Sequence, residues 1–173
     1  MKITEAIALE HATLLRVFDQ VERVLPGLSS AAEVGTLATI LEGLLSTQAQ
    51  LEANFAFAAL DDALRHKGRL AAPHEGHREL DAQLRQVQEA STCEGASRLL
   101  RAAMGAAREH FRQEERDLFP VLERSLGLGV LAALGEAFKK AMKAKATGRR
   151  QGGKLKPEDG RQKTEGSTET LKS

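Results

Sequence analysis

The sequence predicts an all-α protein, namely an antiparallel up-down four-helix bundle followed by a fifth helix and a disordered basic tail. Apolar residues recur at steps of three, four and seven along four long segments, which is the spacing of amphipathic helices. Strand-like alternation of apolar and polar residues is missing from the sequence, and short connections join the helical segments. Long helices with short loops favour an antiparallel bundle.

The first two helices are bounded by clear end signals. Apolar residues at helical spacing run from Thr4 to about Val24, and the turn-forming segment Leu25-Pro26-Gly27 follows them. The segment Ser30-Ala31-Ala32-Glu33 predicts a capping box, in which the serine and glutamate side chains satisfy free backbone N–H groups where a helix starts. The second helix then continues to about Leu64.

The later helices follow from the same kinds of signal. The third is predicted from Pro73 to about Ala90, because proline suits a first helical position, where an N–H would have no partner. The segment Ser91-Thr92-Cys93-Glu94 predicts a second capping box, which opens a fourth helix that ends near Gly127. A fifth amphipathic stretch begins at Val130. We therefore expect a bundle over residues 1–128, a C-terminal helix over 129–146 and a disordered Lys/Arg-rich tail over 147–173.

Charge is distributed unevenly along the chain. The formal net charge is +1, yet from Lys139 onward there are 11 Lys/Arg and 4 Asp/Glu, so the tail is basic and the preceding part is acidic. A basic tail favours an acidic partner, whereas the absence of Trp and Tyr removes the usual platforms for stacking bases. We therefore predict no specific nucleic-acid partner. No feature of the sequence predicts an oligomeric state.

Two further absences concern the compartment. The chain has a single cysteine, which excludes an internal disulfide, and it has neither an uninterrupted apolar signal segment nor an apolar stretch of membrane-spanning length. We therefore expect a cytoplasmic protein without a membrane span.

His110 and Glu114 are the first candidates for a metal site. They are four residues apart on the fourth predicted helix, so their side chains lie one turn apart on one face. Carboxylates and imidazoles are costly to bury in a bundle unless a cation pairs with them, and such ligands suit Fe, Mn or Zn. The other three helices offer His11, then Glu52 with Gln48 as a weaker candidate, then His77 with His74 as a weaker candidate.

These residues resemble the pattern of the hemerythrin-like family, also called the HHE cation-binding domain. That pattern has a histidine on the first helix, H-x-x-x-E on the second, a histidine on the third, and H-x-x-x-E followed by Leu-Phe-Pro on the fourth. This chain has His110-Phe-Arg-Gln-Glu114 followed by Leu118-Phe119-Pro120, together with Glu10-His11 and His77-Arg-Glu-Leu80. The likeness covers roughly residues 4–125.

The resemblance implies two iron ions with an oxo or hydroxo bridge, with Zn or Mn as alternatives. Glu52 and Glu114 would bridge the ions, His77 and His110 would bind one ion, and His11 would bind the other. The chain departs from the family on the second helix, where Gln48 replaces the expected histidine. It also departs from the oxygen carriers, in which two histidines of the third helix are four apart, whereas His74 and His77 are three apart. These departures argue against a reversible oxygen carrier.

Three functions stay open at this level. The leading hypothesis is a non-haem, di-iron protein of the stress response that binds oxygen, peroxide or nitric oxide, or that responds to iron level. The second is a di-iron enzyme of oxidant disposal or of iron-sulfur cluster repair. The third is a metal-depleted helical module that acts through interactions, for which Gln48 would be the first sign of decay.

Overall fold

The computed structural model describes residues 1–64 and 71–152, which are almost entirely helical, with no strand among them. A single 3₁₀ turn, Leu25–Gly27, follows the first helix. The predicted all-α class is therefore confirmed for the described part of the chain. The helices are α1 (Ile3–Val24), α2 (Ala31–Glu52), α3 (Ala58–Leu64), α4 (Ala71–Glu89), α5 (Cys93–Gln113), α6 (Phe119–Ser125) and α7 (Leu128–Gly152).

The two predicted capping boxes have different outcomes. The first is confirmed, since the N–H of Glu33 donates to Ser30 Oγ at 3.2 Å and the N–H of Ser30 donates to Glu33 Oε2 at 3.0 Å. The second is wrong, because Thr92 rather than Ser91 is the N-cap of α5 and its Oγ1 accepts from the N–H of Gly95 at 3.1 Å. The position three residues after the cap is then a glycine, which has no side chain to reach back.

Several other helix bounds differ from the prediction by a few residues, as two examples show. Helix α4 begins at Ala71, so Pro73 lies within its first turn rather than at its first position. A proline is tolerated there because the N–H groups of a first turn have no intrahelical acceptor. Helix α7 continues to Gly152, beyond the predicted end at Ala146, so residues 147–152 are helical. The predicted disorder of residues 153–173 lies outside the described residues.

Each of two long helical rods contains one π turn. The segment Ala53–Phe57 joins α2 to α3, and the segment Glu114–Leu118 joins α5 to α6. In a π turn the backbone N–H bonds to the carbonyl five residues earlier, as the N–H of Phe119 does with Glu114. Pro120 favours the second turn, because it lacks the N–H that a continuous α-helix would use there. Such turns are rare and often mark functional sites.

Buried apolar side chains form two clusters along these rods. The larger core joins α1, α2, α4 and α5, and the smaller core joins the start of α1 to the first π turn, α3, α6 and α7. The larger core includes Phe18, Leu41, Leu84 and Met104. The smaller core includes Ile3, Phe57, Leu60, Leu122 and Phe138.

Helix α7 closes the smaller core by packing across the start of α1. Its Leu131 and Phe138 side chains are buried there. Between them, Gly135 lies so close to the backbone of residues 1–3 that an added Cβ would overlap it. The glycine therefore permits the close helix approach. None of the described helices combines the length and the apolar character that crossing a membrane requires.

Candidate metal centre

Polar side chains of four helices meet in the interior, between the two apolar cores. On α1, for example, the fully buried His11 lies between Ile7 of the smaller core and Leu14 of the larger core. The His77 side chain is 12 % exposed and the others are buried. Polar groups of this kind are seldom buried unless they are paired. The residues that meet are His11, Gln48, Glu52, His77, His110 and Glu114.

Each of the two central carboxylates, Glu52 and Glu114, directs one oxygen toward His11 and the other toward the opposite side of the centre. Glu52 Oε1 lies 3.2 Å from His11 Nε2, and Glu52 Oε2 lies 3.3 Å from His77 Nε2. Glu114 Oε2 lies 3.4 Å from His11 Nε2. Its Oε1 lies 3.4 Å from His110 Nε2 and 3.9 Å from His77 Nε2. The carboxylates therefore stand between His11 on one side and two histidines on the other.

Several donor atoms of this centre are buried without a hydrogen-bond partner among the described residues. An unpaired buried polar atom costs about 1–3 kcal/mol. The donor atoms that lie within 4.8 Å of one another form two groups that share Glu114. The first group is His77, His110 and Glu114, and the second is His11, Glu52 and Glu114. A cation that took these atoms as ligands would remove the cost, so the donor set fits a metal. The unpaired atoms are Gln48 Oε1, Glu52 Oε2, His77 Nε2, His110 Nε2 and both carboxylate oxygens of Glu114.

The three histidines differ in pKa, and the difference does not follow the two sides of the centre. Burial acts to lower the pKa of His77, but Glu52 outweighs it and raises the pKa. Burial acts to lower the pKa of His11, but the adjacent Glu114 and Glu52 carboxylates outweigh it and raise the pKa to about 10. Burial and the charge of His77 lower the pKa of His110 to about 4. At neutral pH a binding cation must therefore displace a proton from His11, whereas His110 already presents a free nitrogen.

The carboxylates respond to the same surroundings in opposite directions. Burial raises the pKa of Glu114, and the neighbouring Glu52 carboxylate adds to this effect. Burial also acts to raise the pKa of Glu52, but His11 and His77 lower it overall. Glu52 is therefore the more firmly ionised of the two carboxylates and is the natural anchor for a cation.

The model of the hemerythrin HHE cation-binding domain family matches residues 2–122 of this chain and, a second time, residues 68–164. The chain belongs to the hemerythrin HHE family. The first match covers more than half of the chain and contains every residue of the centre described above. There is no significant match among curated proteins or among solved structures. Family membership and the donor set together indicate cation binding.

Gln48 distinguishes this centre from the HHE pattern, which has a histidine at that place. It is buried, and its Nε2 donates a hydrogen bond to Glu52 Oε1 at 2.5 Å. Its Oε1 has no hydrogen-bond partner among the described residues. In this arrangement the amide supports a neighbouring carboxylate and offers at most one oxygen, which is a weaker ligand for iron than imidazole.

His110 depends on a glycine of the opposite helix for its position. A Cβ added at Gly76 on α4 would lie 2.7 Å from His110 Nδ1, a distance that real Cβ atoms do not tolerate. A cleft of about 200 Å³ between α4 and α5 is lined by Gly76, His110, Glu79 and Gln83, among others. The absence of a side chain at residue 76 thus allows the HHE histidine to reach the centre.

The structure brings together the five principal residues that the sequence singled out, with Gln48 beside them, and their roles as ligands stay predictions. His74 belongs to α4, but its side chain lies outside the described residues. Two contributors were missed by the sequence analysis. One is Gly76, whose only signal is its place next to His77, and the other is Glu115, whose Oε1 lies 2.8 Å from His11 Nδ1.

Proposed function

We propose that this chain binds two iron ions inside a four-helix bundle formed by α1, α2, α4 and α5. In this proposal the protein senses oxygen, peroxide, nitric oxide or the iron level, or it protects the cell against them. The observation that carries the proposal is the set of donor atoms from these four helices that fall within 4.8 Å of one another in two groups, several of them buried without a hydrogen-bond partner among the described residues. Imidazole with carboxylate is a ligand set that suits iron.

Each ion would have its own histidines and would share both carboxylates. His77 and His110 would hold one ion, and His11 would hold the other. The bridging role of Glu52 and Glu114 is supported by their geometry, since each directs one oxygen toward His11 and the other toward the opposite side. When bound, iron supplies ligand exchange and one-electron chemistry, and the chain supplies position and surroundings.

The surroundings of the centre support a small, weakly polar ligand. The ring of His11 stacks on Phe111 at a centroid distance of 4.2 Å, and Phe57 lies 6.4 Å from the ring of His77. An open groove of about 600 Å³ runs past His77 and is lined by small and polar side chains, namely Ser46, Ala49, Gln50, Ala53, Arg78 and Asp81. Oxygen, nitric oxide and peroxide would reach the centre by this side.

The proposal is tested by metal analysis of protein produced with ample iron. We expect about two irons per wild-type chain, because the structure offers two groups of donors. Glu114→Gln is expected to lose most of this iron, because Glu114 belongs to both groups. Glu109→Gln is the matched control, since Glu109 lies on the same helix with a half-exposed side chain.

Three results would overturn the proposal. The first is far less than one iron in the wild-type protein, and the second is equal iron in the wild type and Glu114→Gln. The third is an unchanged melting temperature when iron or zinc is added to the metal-free protein, because a ligand that binds the native state must stabilise it. That third result would favour an interaction module that has lost its metal.

A further inference from the structure

Glu115 is a carboxylate next to the centre that belongs to neither group of donors. Its Oε1 lies 2.8 Å from His11 Nδ1, while the other ring nitrogen, Nε2, lies 3.2 Å from Glu52 Oε1. The Glu115 side chain is 44 % exposed, whereas His11 is fully buried. Glu115 therefore reaches from the surface to the Nδ1 edge of the imidazole and leaves the Nε2 edge to the centre.

Two adjacent carboxylates at the start of the second π turn contact the same imidazole. Glu114 and Glu115 are the first residues of the turn Glu114–Leu118. Glu114 Oε2 lies 3.4 Å from His11 Nε2, and Glu115 Oε1 lies 2.8 Å from His11 Nδ1. The two side chains therefore reach the two different nitrogens of one ring.

A carboxylate in this position determines which nitrogen of the imidazole is free. If the Nδ1–H donates a hydrogen bond to Glu115, Nε2 is the nitrogen that can give up its proton, and its lone pair then points toward the centre, where Glu52 and Glu114 lie. The ring is held in that orientation by Phe111, which lies parallel to it within 9°, and by Phe119 at a centroid distance of 6.2 Å.

His77, on the opposite side, has no hydrogen-bonded carboxylate at its outer nitrogen among the described residues. Its Nε2 also faces Glu52, whereas Asp81 lines the groove next to it without a hydrogen bond to the ring. Glu115 directly follows the central carboxylate Glu114, and the corresponding residue after Glu52 is Ala53. Ala53 cannot accept a hydrogen bond through its side chain, and it lines the open groove next to His77. The carboxylate that supports an imidazole is thus present on the side of the centre that lacks a second histidine.

We propose that Glu115 is a positioning residue, which orients His11 and increases its strength as a ligand for the ion on that side. Such outer carboxylates typically change metal affinity by about 10–100-fold. This inference rests on the proposed function of the same centre. The carboxylate therefore compensates in part for Gln48, which stands where a second imidazole would bind.

The experiment is a titration of the metal-free full-length protein with Co²⁺ and Zn²⁺, followed by absorption and calorimetry. Glu115→Ala is expected to weaken the second equivalent of metal by about 10–100-fold and to leave the first within a few-fold. Glu115→Gln is expected to lose less affinity than Glu115→Ala, because its side-chain oxygen can still accept a hydrogen bond from Nδ1 although it carries no charge. Asp117→Ala is the control, since Asp117 lies on the same turn and pairs only with Arg116 at the surface.

A second readout follows the imidazole itself. Nitrogen-detected NMR of the zinc-loaded wild-type protein should show the Nδ1 proton of His11 in a hydrogen bond, and Glu115→Ala should lose that signature. Equal affinities in Glu115→Ala and the wild type, or a loss in Glu115→Gln as large as in Glu115→Ala, would overturn the positioning role. If the wild type binds no metal, the proposed function fails, whereas normal binding by both wild type and Glu115→Ala defeats only this inference.

Discussion

The α1–α2 half of the centre and the α4–α5 half are built alike but are not equally equipped. Each half places a histidine on its first helix, His11 or His77, and a central glutamate, Glu52 or Glu114, at or directly after the end of its second. In the α1–α2 half Gln48 stands four residues before the glutamate, where the other half has His110. One side chain therefore makes the centre asymmetric.

The asymmetry extends to the protons that a metal must displace. His110 has a pKa lowered to about 4 by burial and by His77, so it is neutral near pH 7. His11 has a pKa of about 10, because its carboxylate neighbours outweigh burial. The pKa of His77 is also raised, because Glu52 outweighs burial, so His110 is the one histidine of the three with a lowered pKa. Because metal ligands must be deprotonated, the α4–α5 half offers a first ion one neutral imidazole, and the α1–α2 half offers none. The comparison teaches that two similar ligand groups can differ in affinity through charge as well as through ligand count.

The largest expected effect is that of removing one histidine from each half. His110→Ala should abolish the tight binding of the first ion, with a loss of more than about 100-fold, because only His77 would remain as a nitrogen donor there. His11→Ala should remove the weaker ion and leave the tight one within about tenfold. Calorimetric titration of the metal-free proteins with Zn²⁺ measures both affinities.

Thr13→Ala and Glu109→Ala serve as controls for the two histidine variants, since both residues are exposed on the same helices. Thermal unfolding without metal shows whether each variant still folds. The proposed order of the two ions is wrong if His11→Ala removes the tight ion and His110→Ala spares it.

Restoring the missing histidine should make the two halves more alike. Gln48→His is expected to tighten the second ion on the order of tenfold and to raise the iron content, because an imidazole replaces a weakly ligating amide. Gln50→His is the matched control, because residue 50 is exposed on the same helix. An unchanged iron content in Gln48→His, or an equal rise in Gln50→His, would show that residue 48 does not bind the ion.

The fold was predictable from the sequence as far as it depends on local signals. Apolar spacing and the Ser30 cap identified the helices, because both act within one or two turns of the chain. The π turns were not predicted, although Pro120 is a sequence signal for the second one, because it lacks the N–H that a continuous α-helix would use. The N-cap of α5 is Thr92 rather than Ser91, and this choice between two adjacent hydroxyl residues was not predicted either.

The candidate ligands of the site were predictable from the sequence, but the residues that position those ligands were not. The spacing of His110 and Glu114 and the histidines of the other helices identified the residues that meet. Glu115 was missed because its contact with His11 joins residues 104 positions apart in the sequence, and nothing local reveals such a pairing. Gly76 was missed for the same reason, since its importance lies in a ring contributed by another helix.

The smallest expected effect is that of Gly76→Ala, which should weaken metal binding on the α4–α5 half without much change in the stability of the helix. In Gly76→Ala the new Cβ would displace His110, and we expect the first ion to bind about tenfold more weakly. Alanine favours a helix over glycine by about 1 kcal/mol, so the metal-free protein should not become much less stable. Gly105→Ala is the matched control, because a Cβ there would meet no atom within 4 Å. If Gly76→Ala binds Zn²⁺ as tightly as Gly105→Ala, the close packing of His110 on α4 does not position the ligand.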